Sequence, residues 1–342
     1  MKAVRFIGTP AAAVREVPQP AAEGPHDVIV RVAGAGVCRT DLHILEGVSP
    51  LRPAPPPPFT LGHENVGWVE EMGADVRGWA RGDAVILHPA ISCGHCSACR
   101  AGTEMFCLSG RLPGVDGSDG GYAEFVRTSD RALVRLDGSS DLVPLAPLAD
   151  AGLTAYHAVK RILPRVHPGA VVVVIGVGGL GHIGIQLLKA MAPVRIVAVD
   201  VAEGPLELAR QLGAETALSA TDPNLVADVL RASASEGADV VMDFVAERET
   251  PDLAVRMLRR GGTYSIVGYG GSLSIPTVEM VVRELTVLGN FVGTYRDLVE
   301  LMELHRRGRV QVSVHRYPLD RAPAALDDLR HGRVAGRAVL IP

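Results

Sequence analysis

Cys93, Cys96, Cys99 and Cys107 fall within fifteen residues in the spacing C-x2-C-x2-C-x7-C, inside a glycine-rich stretch. Thiols this close along the chain are poorly placed to be separate core residues, and four thiolates complete the tetrahedral all-sulfur shell of a structural zinc. An iron–sulfur centre uses the same ligand type, and chance clustering is the plain alternative. His95 lies inside the cluster but is not needed as a ligand. A closed site of this kind holds a loop together and does no chemistry. The fifth cysteine, Cys38, stands apart in Gly36-Val37-Cys38-Arg39-Thr40-Asp41-Leu42-His43, and His63 lies in Leu61-Gly62-His63-Glu64-Asn65-Val66-Gly67. Alone, such residues are usually packed core or solvated surface. Together they are the ligand types of a catalytic zinc, which takes three protein ligands and keeps one position open. The third ligand must come from elsewhere in the chain.

A second chemistry-bearing stretch spans residues 171–200. A solid apolar run Val171–Ile175 leads into Gly176-Val177-Gly178-Gly179-Leu180-Gly181, then an apolar-periodic helix to about Met191, then a strand Arg195–Val199 ending at Asp200. Uninterrupted β-branched residues are the pattern of a parallel strand buried on both faces, and the crossover length suits a βαβ unit. In that setting Gly176 permits the tight turn, Gly178 lets the main chain approach a pyrophosphate, and Gly181 lets the helix pack closely, so that its free N–H groups face phosphate. Asp200, ~20 residues on, is placed to accept hydrogen bonds from an adenosine ribose. Val201 follows and no Arg or Lys comes before Arg210. NAD is therefore expected over NADP, whose 2′-phosphate would meet Asp200 without a nearby cation.

These residues need a scaffold, and 342 residues allow two domains, each with its own core. From Met1 to about Asp130, short strands are punctuated by Gly and Pro: Ala3–Phe6, Asp27–Ala33, Asn65–Glu71, Asp83–Leu87 and Tyr122–Val126. The proline-laden segment Ser49–Phe59, with Pro50, Pro53 and Pro55–Pro58, reads as an extended surface loop. Ala146–Leu163 reads as a helix entering the second domain. Alternation then continues: helices near Pro205–Leu212, Asp222–Ala232 and Thr250–Leu258, with strands near Glu215–Leu218, Ala238–Phe244, Gly262–Val267 and Leu285–Leu288. Together they make a six-stranded doubly wound sheet. The tail from about Thr294, with a helix through Glu303 and a last strand Ala338–Ile341, is expected to return to the first domain.

A net charge of −4 gives no footprint for nucleic acid or an anionic membrane. The longest apolar stretches are strand-sized, and the chain enters a strand from Met1 without a signal peptide. A cytoplasmic protein is expected, its five cysteines thiols or metal ligands and not disulfides.

Taken in order, the G-V-C-R-T-D-L-H stretch, the L-G-H-E-N-V-G stretch, the four-cysteine loop, the G-V-G-G-L-G turn with Asp200, and the terminal Gly336-Arg337-Ala338-Val339-Leu340 resemble the zinc-dependent medium-chain alcohol dehydrogenase family over nearly the whole chain. The resemblance implies an α/β protein with a GroES-like β-rich catalytic domain (1–150 with 294–342) and a Rossmann NAD-binding domain (151–293). It also supplies the third ligand, which the family places at the start of the helix entering the cofactor domain. Many members use Cys there. Here the position is Asp150, as in a bacterial secondary-alcohol dehydrogenase subgroup; a carboxylate is a competent zinc ligand, and a helix N-cap is the alternative role.

The same resemblance implies a reaction in which a zinc held by Cys38, His63 and Asp150 lowers the pKa of an alcohol and a hydride passes to NAD. Thr40 takes the proton and hands it through the ribose hydroxyls to His43, which exchanges it with solvent. Glu64 is an acid beside the zinc that tunes or transiently binds it. Asp41 stands behind the ligands, orienting His63 or pairing with Arg337, while Arg39 and Arg337 reach the pyrophosphate. Val267 and Phe291 are expected along the cofactor. The substrate pocket is expected near Thr40, His43, Pro89 and Leu112, with Asn290 and Phe291 approaching from the cofactor domain. Pro205 departs from relatives that carry a cation five positions after the ribose acid, which implies a looser hold on adenosine. Two zinc ions per subunit, a small alcohol or ketone substrate and a homodimer or homotetramer complete the expectation. A polyol or threonine-type dehydrogenase on the same scaffold, and a non-catalytic dinucleotide-binding protein, are the competing readings.

Overall fold

The strand Asp27–Gly36 is the hub of the first half of the chain. It pairs antiparallel with both Glu64–Met72 and Phe125–Ser129, and its last residues pair with the C-terminal strand Arg337–Ile341. The computed structural model from which this follows describes residues 1–48, 55–138, 141–234 and 236–342. Of the proline-laden loop, 49–54 lies outside the described residues, while Pro56, Pro57 and Pro58 are exposed without regular structure.

The seven-stranded sheet runs Val314–Pro318, Arg337–Ile341, Asp27–Gly36, Glu64–Met72, Ala84–Leu87 and Leu133–Arg135, with Phe125–Ser129 on Asp27–Gly36. A three-stranded sheet, Ala11–Glu16, Lys2–Gly8 and Phe59–Thr60, covers the core. Val28, Val30, Val32, Val69, Val85, Leu87, Leu133 and Leu340 fill that core. Alternating side chains of the antiparallel strands point into it, as a half-buried sheet requires. Three further features were not legible in the sequence: the strand Val314–Pro318, the helix Ala322–Arg330, and a short helix Arg39–Leu45 directly after Cys38.

The second sheet is six-stranded and parallel, in the order Thr216–Ser219, Arg195–Asp200, Val171–Ile175, Ala238–Asp243, Leu258–Ile266, Thr286–Gly289. The sequence order reverses on either side of Val171–Ile175, which makes the end of that strand the switch point where doubly wound sheets bind ligands. All five residues of Val171–Ile175 are buried.

By contacts, Met1–Leu153, Thr294–Met302 and Val312–Pro342 form one compact unit, and Thr154–Gly293 with Glu303–Gln311 form the other. Glu303–Gln311 goes with the second unit because Gln311 exchanges two hydrogen bonds with Gln186, its N–H donating to Oε1 at 2.9 Å and its carbonyl accepting from Nε2 at 3.0 Å. The helix expected from Ala146 is split. A 3-10 turn covers Val143–Ala149, and the α-helix starts afresh over Ala151–Ile162. Pro147 has no N–H for a continuous helix, and the break falls on Asp150, at φ −131° and ψ −59°.

Candidate metal centres and nucleotide-binding turn

Strand register builds the first site. Gly36 pairs with Glu64, so Cys38, just past the end of one strand, and His63, just before the start of the other, arrive at the same end of the sheet. The break after the 3-10 turn delivers Asp150. One ligand atom from each of Cys38, His63, Glu64 and Asp150 lies within 4.8 Å of all the others. Cys38 Sγ is 3.9 Å and His63 Nε2 3.4 Å from Asp150 Oδ2. Ligands at ~2.0–2.3 Å from a tetrahedral zinc stand ~3.3–3.8 Å from one another, so a sulfur, an imidazole nitrogen and a carboxylate oxygen here fit a common ion. Cys38 and His63 are buried, at 4% and 5% exposure.

Asp41 sits behind His63. Its Oδ1 is 3.6 Å from His63 Nδ1, while its Oδ2 accepts from the Cys38 N–H at 2.9 Å and the Tyr122 hydroxyl at 2.6 Å. The two ring nitrogens are thereby divided, Nδ1 toward Asp41 and Nε2 toward the ligand cluster. At this distance the carboxylate acts on the imidazole by charge and not through a hydrogen bond, favouring the ring orientation in which Nε2 faces the cluster. The same Cys38–Asp41 bond starts the helix Arg39–Leu45, the Asp side chain reaching back to the N-cap amide as in half of a capping box.

The four-cysteine loop closes on itself. Sγ–Sγ separations are 3.5 Å for Cys96–Cys99 and 3.9 Å for both Cys93–Cys99 and Cys96–Cys107. Vertices of a tetrahedron with ~2.3 Å zinc–sulfur bonds are ~3.8 Å apart, whereas a disulfide would bring two sulfurs to ~2.05 Å. Backbone N–H groups support the sulfurs: Cys93 N–H donates to Cys107 Sγ at 3.3 Å and Cys96 N–H to Cys93 Sγ at 3.4 Å. N–H groups of Cys99 and Leu108 directed at Cys96 pull its thiol down to about 6. The loop is tied to its surroundings by Arg131, which donates to the Cys93 carbonyl, and by Glu104, which accepts the Tyr295 N–H at the start of the helix Tyr295–Arg306.

In the second unit the glycine turn takes the form expected of it. Gly176 has φ +82°. A Cβ on Gly181 would collide with the Gly176 carbonyl, whereas one on Gly178 would meet nothing, which leaves that side of the turn open for a phosphate to approach the main chain. Gly179 and Leu180 complete the turn before the helix Gly181–Met191. Asp200 Oδ2 accepts the Val177 N–H at 2.8 Å and its Oδ1 the Ala202 N–H at 3.1 Å. The acid thus holds the turn. Val267 is buried, its N–H donating to the Asp243 carbonyl at 2.9 Å.

Two family models match the chain, an alcohol dehydrogenase GroES-like domain over residues 24–138 and a zinc-binding dehydrogenase domain over residues 179–307. An alcohol dehydrogenase of Rhizobium meliloti is 36% identical, covering 98% of this chain and 97% of its own. The chain belongs to the zinc-binding alcohol dehydrogenase family. An NAD-dependent alcohol dehydrogenase of Sulfurisphaera tokodaii is 34% identical over 100% of both chains. The crystal structure of the alcohol dehydrogenase from the archaeon Aeropyrum pernix superposes with a TM-score of 0.97 at 46% identity, covering 100% of each chain.

In this dehydrogenase, Arg337, expected to reach the pyrophosphate, is 3% exposed, and its Nη2 donates to Glu64 Oε1 and Oε2, both at 2.5 Å, a partner the sequence reading did not name. The physical reason is register: Val339 pairs with Gly36 on one side of the hub strand and Glu64 pairs with Gly36 on the other. Gly36 has no side chain to separate them, and a Cβ there would run into Glu64 Oε2. Burial raises the Glu64 carboxyl to about 7 against the pull of Arg337. Of the alternatives for Asp41, facing His63 is the one observed.

Asn290 is likewise committed elsewhere. Its Nδ2 donates to Ser265 Oγ at 3.0 Å and the Ile266 carbonyl at 2.9 Å, and its Oδ1 accepts from Arg161 at 3.0 Å, so it clamps strand ends and does not offer an amide to a pocket. Phe291 is 39% exposed, Pro89 is buried, and Leu112 packs against the first core. Thr40 and His43 lie three apart on the helix Arg39–Leu45, on one face of it; Arg39 is exposed, Thr40 half-buried and His43 6% exposed. Tyr122 was visible in the sequence only as the start of a strand. The strand begins at Phe125, and Tyr122 is instead a fully buried side chain whose hydroxyl meets Asp41.

Proposed function

We propose that this protein is a zinc-dependent dehydrogenase that moves a hydride between a small alcohol, secondary in preference, and NAD, with two zinc ions per chain. The convergence of Cys38, His63 and Asp150 on one ligand-sized volume carries this reading. Bound there, zinc supplies a Lewis acid that makes an alcohol oxygen more acidic, and NAD supplies the hydride acceptor. Everything else falls to the chain. The Cys38 thiolate and the Asp150 carboxylate cancel the charge of a divalent ion, and Asp41 holds the His63 ring with Nε2 turned to the cluster. Glu64 and Arg337 form a buried hydrogen-bonded pair beside it. Thr40 and His43, one helical step apart, carry the proton away. In the second unit the open face at Gly178 admits the pyrophosphate; Arg39, exposed at the start of its helix, is a cofactor-binding cation of the first unit. Asp200 accepts from the adenosine ribose, and Arg210, the first cation after it in sequence, is tied to Glu203 at 2.6 Å and Glu207 at 3.1 Å, which favours NAD over NADP.

The test is NADH formation by zinc-replete protein with 2-butanol, sorbitol and threonine, each with NAD and with NADP. The highest kcat/KM is expected with 2-butanol and NAD. Turnover of sorbitol or threonine alone moves the substrate class, and binding of NADH with no turnover of any alcohol sinks the reading.

We also assign the chain to the cytoplasm, where five thiols stay reduced; no helix among the described residues is long and apolar enough to cross a membrane. Homo-oligomerisation is supported by the second sheet. Its last strand, Thr286–Gly289, pairs on one side only among the described residues. The neighbouring helix Thr277–Arg283 presents Val278, Val281 and Val282 at 67%, 76% and 61% exposure. An open strand edge beside exposed valines is a pairing surface. Sedimentation analysis is expected to show a dimer or larger, and Val281→Glu to shift it toward monomer; a monomeric wild type refutes the assignment.

A further inference from the structure

Tyr122 belongs to no ligand set, yet it touches both segments that carry one. Its side chain is 0% exposed. Its hydroxyl lies 2.6 Å from Asp41 Oδ2 and 3.1 Å from the Gly36 carbonyl. A tyrosine has one O–H hydrogen, and the nearer, charged acceptor takes it as a charge-assisted bond. Asp41 Oδ2 then holds two donors, this hydroxyl and the Cys38 N–H. With that oxygen pinned, the carboxylate cannot rotate, and Oδ1 stays turned to His63 Nδ1.

The ring does the complementary job. Gly62, the residue before His63, has φ +99°, and a Cβ there would run into the Tyr122 ring. The backbone locks the two stretches side by side: Gly120 N–H donates to the Thr60 carbonyl at 2.8 Å, Gly121 N–H to Gly62 at 2.8 Å and Tyr122 N–H to Leu61 at 2.9 Å. The Tyr122 carbonyl in turn accepts the Val4 N–H at 2.8 Å. One side chain is therefore seated against the residue preceding His63 and bonded to the residues flanking Cys38.

We propose that Tyr122 is a positioning residue of the zinc centre, its hydroxyl setting the rotation of Asp41 and its ring setting the height of His63 relative to Cys38. The inference rests on the reading of Cys38, His63 and Asp150 as zinc ligands. A purely structural tyrosine would affect how tightly the first unit folds; a positioning tyrosine affects how the metal is held.

Tyr122→Phe removes the hydroxyl and keeps the ring. Zinc per chain is measured in wild type and variant by elemental analysis, the release of zinc to an excess of chelator is followed in both, and cobalt(II) is then substituted and its visible absorption recorded. Two zinc ions are expected in each protein. One is released from Tyr122→Phe faster than from wild type, by up to the about ten- to hundredfold that metal affinity falls when groups behind metal ligands are removed. The other, in the cysteine loop, leaves at the wild-type rate and serves as the internal control. The cobalt bands of the first site shift in the variant. Unchanged release and unchanged bands, with only a lower unfolding midpoint, overturn the proposal. Should Tyr122→Phe fail to fold, Asp41→Asn leaves the ring in place and carries the same expectation. A wild type that holds a single zinc after reconstitution refutes the zinc reading itself, and is told apart from a failure of Tyr122 by its zinc count.

Discussion

Asp150→Ala is expected to lower the zinc content from two ions per chain to one and alcohol oxidation by about a thousandfold, the several kcal/mol that a Lewis-acid metal contributes to the transition state. Removing Asp150 leaves Cys38 and His63, two ligands for an ion that needs three. Glu64 is close enough to be counted with the cluster, but it cannot step in without abandoning Arg337, to which both its oxygens are bonded. The cysteine loop shares no residue with the site and keeps its ion. Asp150→Cys, which restores a ligand common at this position in the family, is expected to hold two zinc ions again. Elemental analysis of the three proteins, purified without chelator, checks this. Two zinc ions retained in Asp150→Ala remove Asp150 from the ligand set and return it to the role of helix cap.

The second large effect is on stability. Arg337→Met leaves Glu64, at 0% exposure, without its cation. Breaking one side of a buried ion pair costs up to about 3–5 kcal/mol, the full cost applying at pH well above 7, where the carboxyl that burial already holds at about 7 would have to stay ionised without Arg337. The double variant Arg337→Met with Glu64→Gln replaces the pair by neutral groups and is expected to recover most of that loss, since the mutual attraction of buried charges largely offsets their desolvation. The measurement can be confined to the right half of the molecule. Both tryptophans, Trp68 and Trp79, lie in the first unit, so denaturant unfolding followed by their fluorescence reports on that unit. A double variant as unstable as Arg337→Met sinks the argument. If instead Arg337→Met leaves the midpoint unchanged and raises KM for NAD, the guanidinium belongs to the pyrophosphate after all.

The Arg337–Glu64 pair shows where sequence reasoning works and where it stops. The glycine turn and the cysteine loop were legible because their geometry is local. Gly176, Gly178 and Gly181 act through neighbouring backbone, and four sulfurs within one loop have few other places to go. Cys38 and His63 were readable as ligand types, but what joins them is the pairing of Gly36 with Glu64, which no spacing reveals. Arg337 reaches Glu64 across 273 residues, and nothing near Arg337 in sequence distinguishes a cation that meets phosphate from one that meets a buried acid. Tyr122 gave no signal because one aromatic residue in an apolar stretch looks like core, and it is core at its ring while its hydroxyl does something else. The helix Arg39–Leu45 was missed because seven residues are too few to show a period. The break at Asp150 was missed, because a proline at 147 is equally compatible with the first turn of a helix beginning at Ala146.

Gly36, Glu64 and Arg337 together have a consequence for descent. The pair of charges lies across a place where a side chain is missing, so three positions scattered through the gene behave as a single inherited character. A lineage that keeps Glu64 must keep glycine at 36 to make room for it and a cation at 337 to neutralise it. A lineage that loses Glu64 is released at both other positions at once. Among relatives of this enzyme the three should therefore change in concert or not at all, and a sequence that carries alanine at the first with the acid still at the second should prove to have turned that acid away from its arginine.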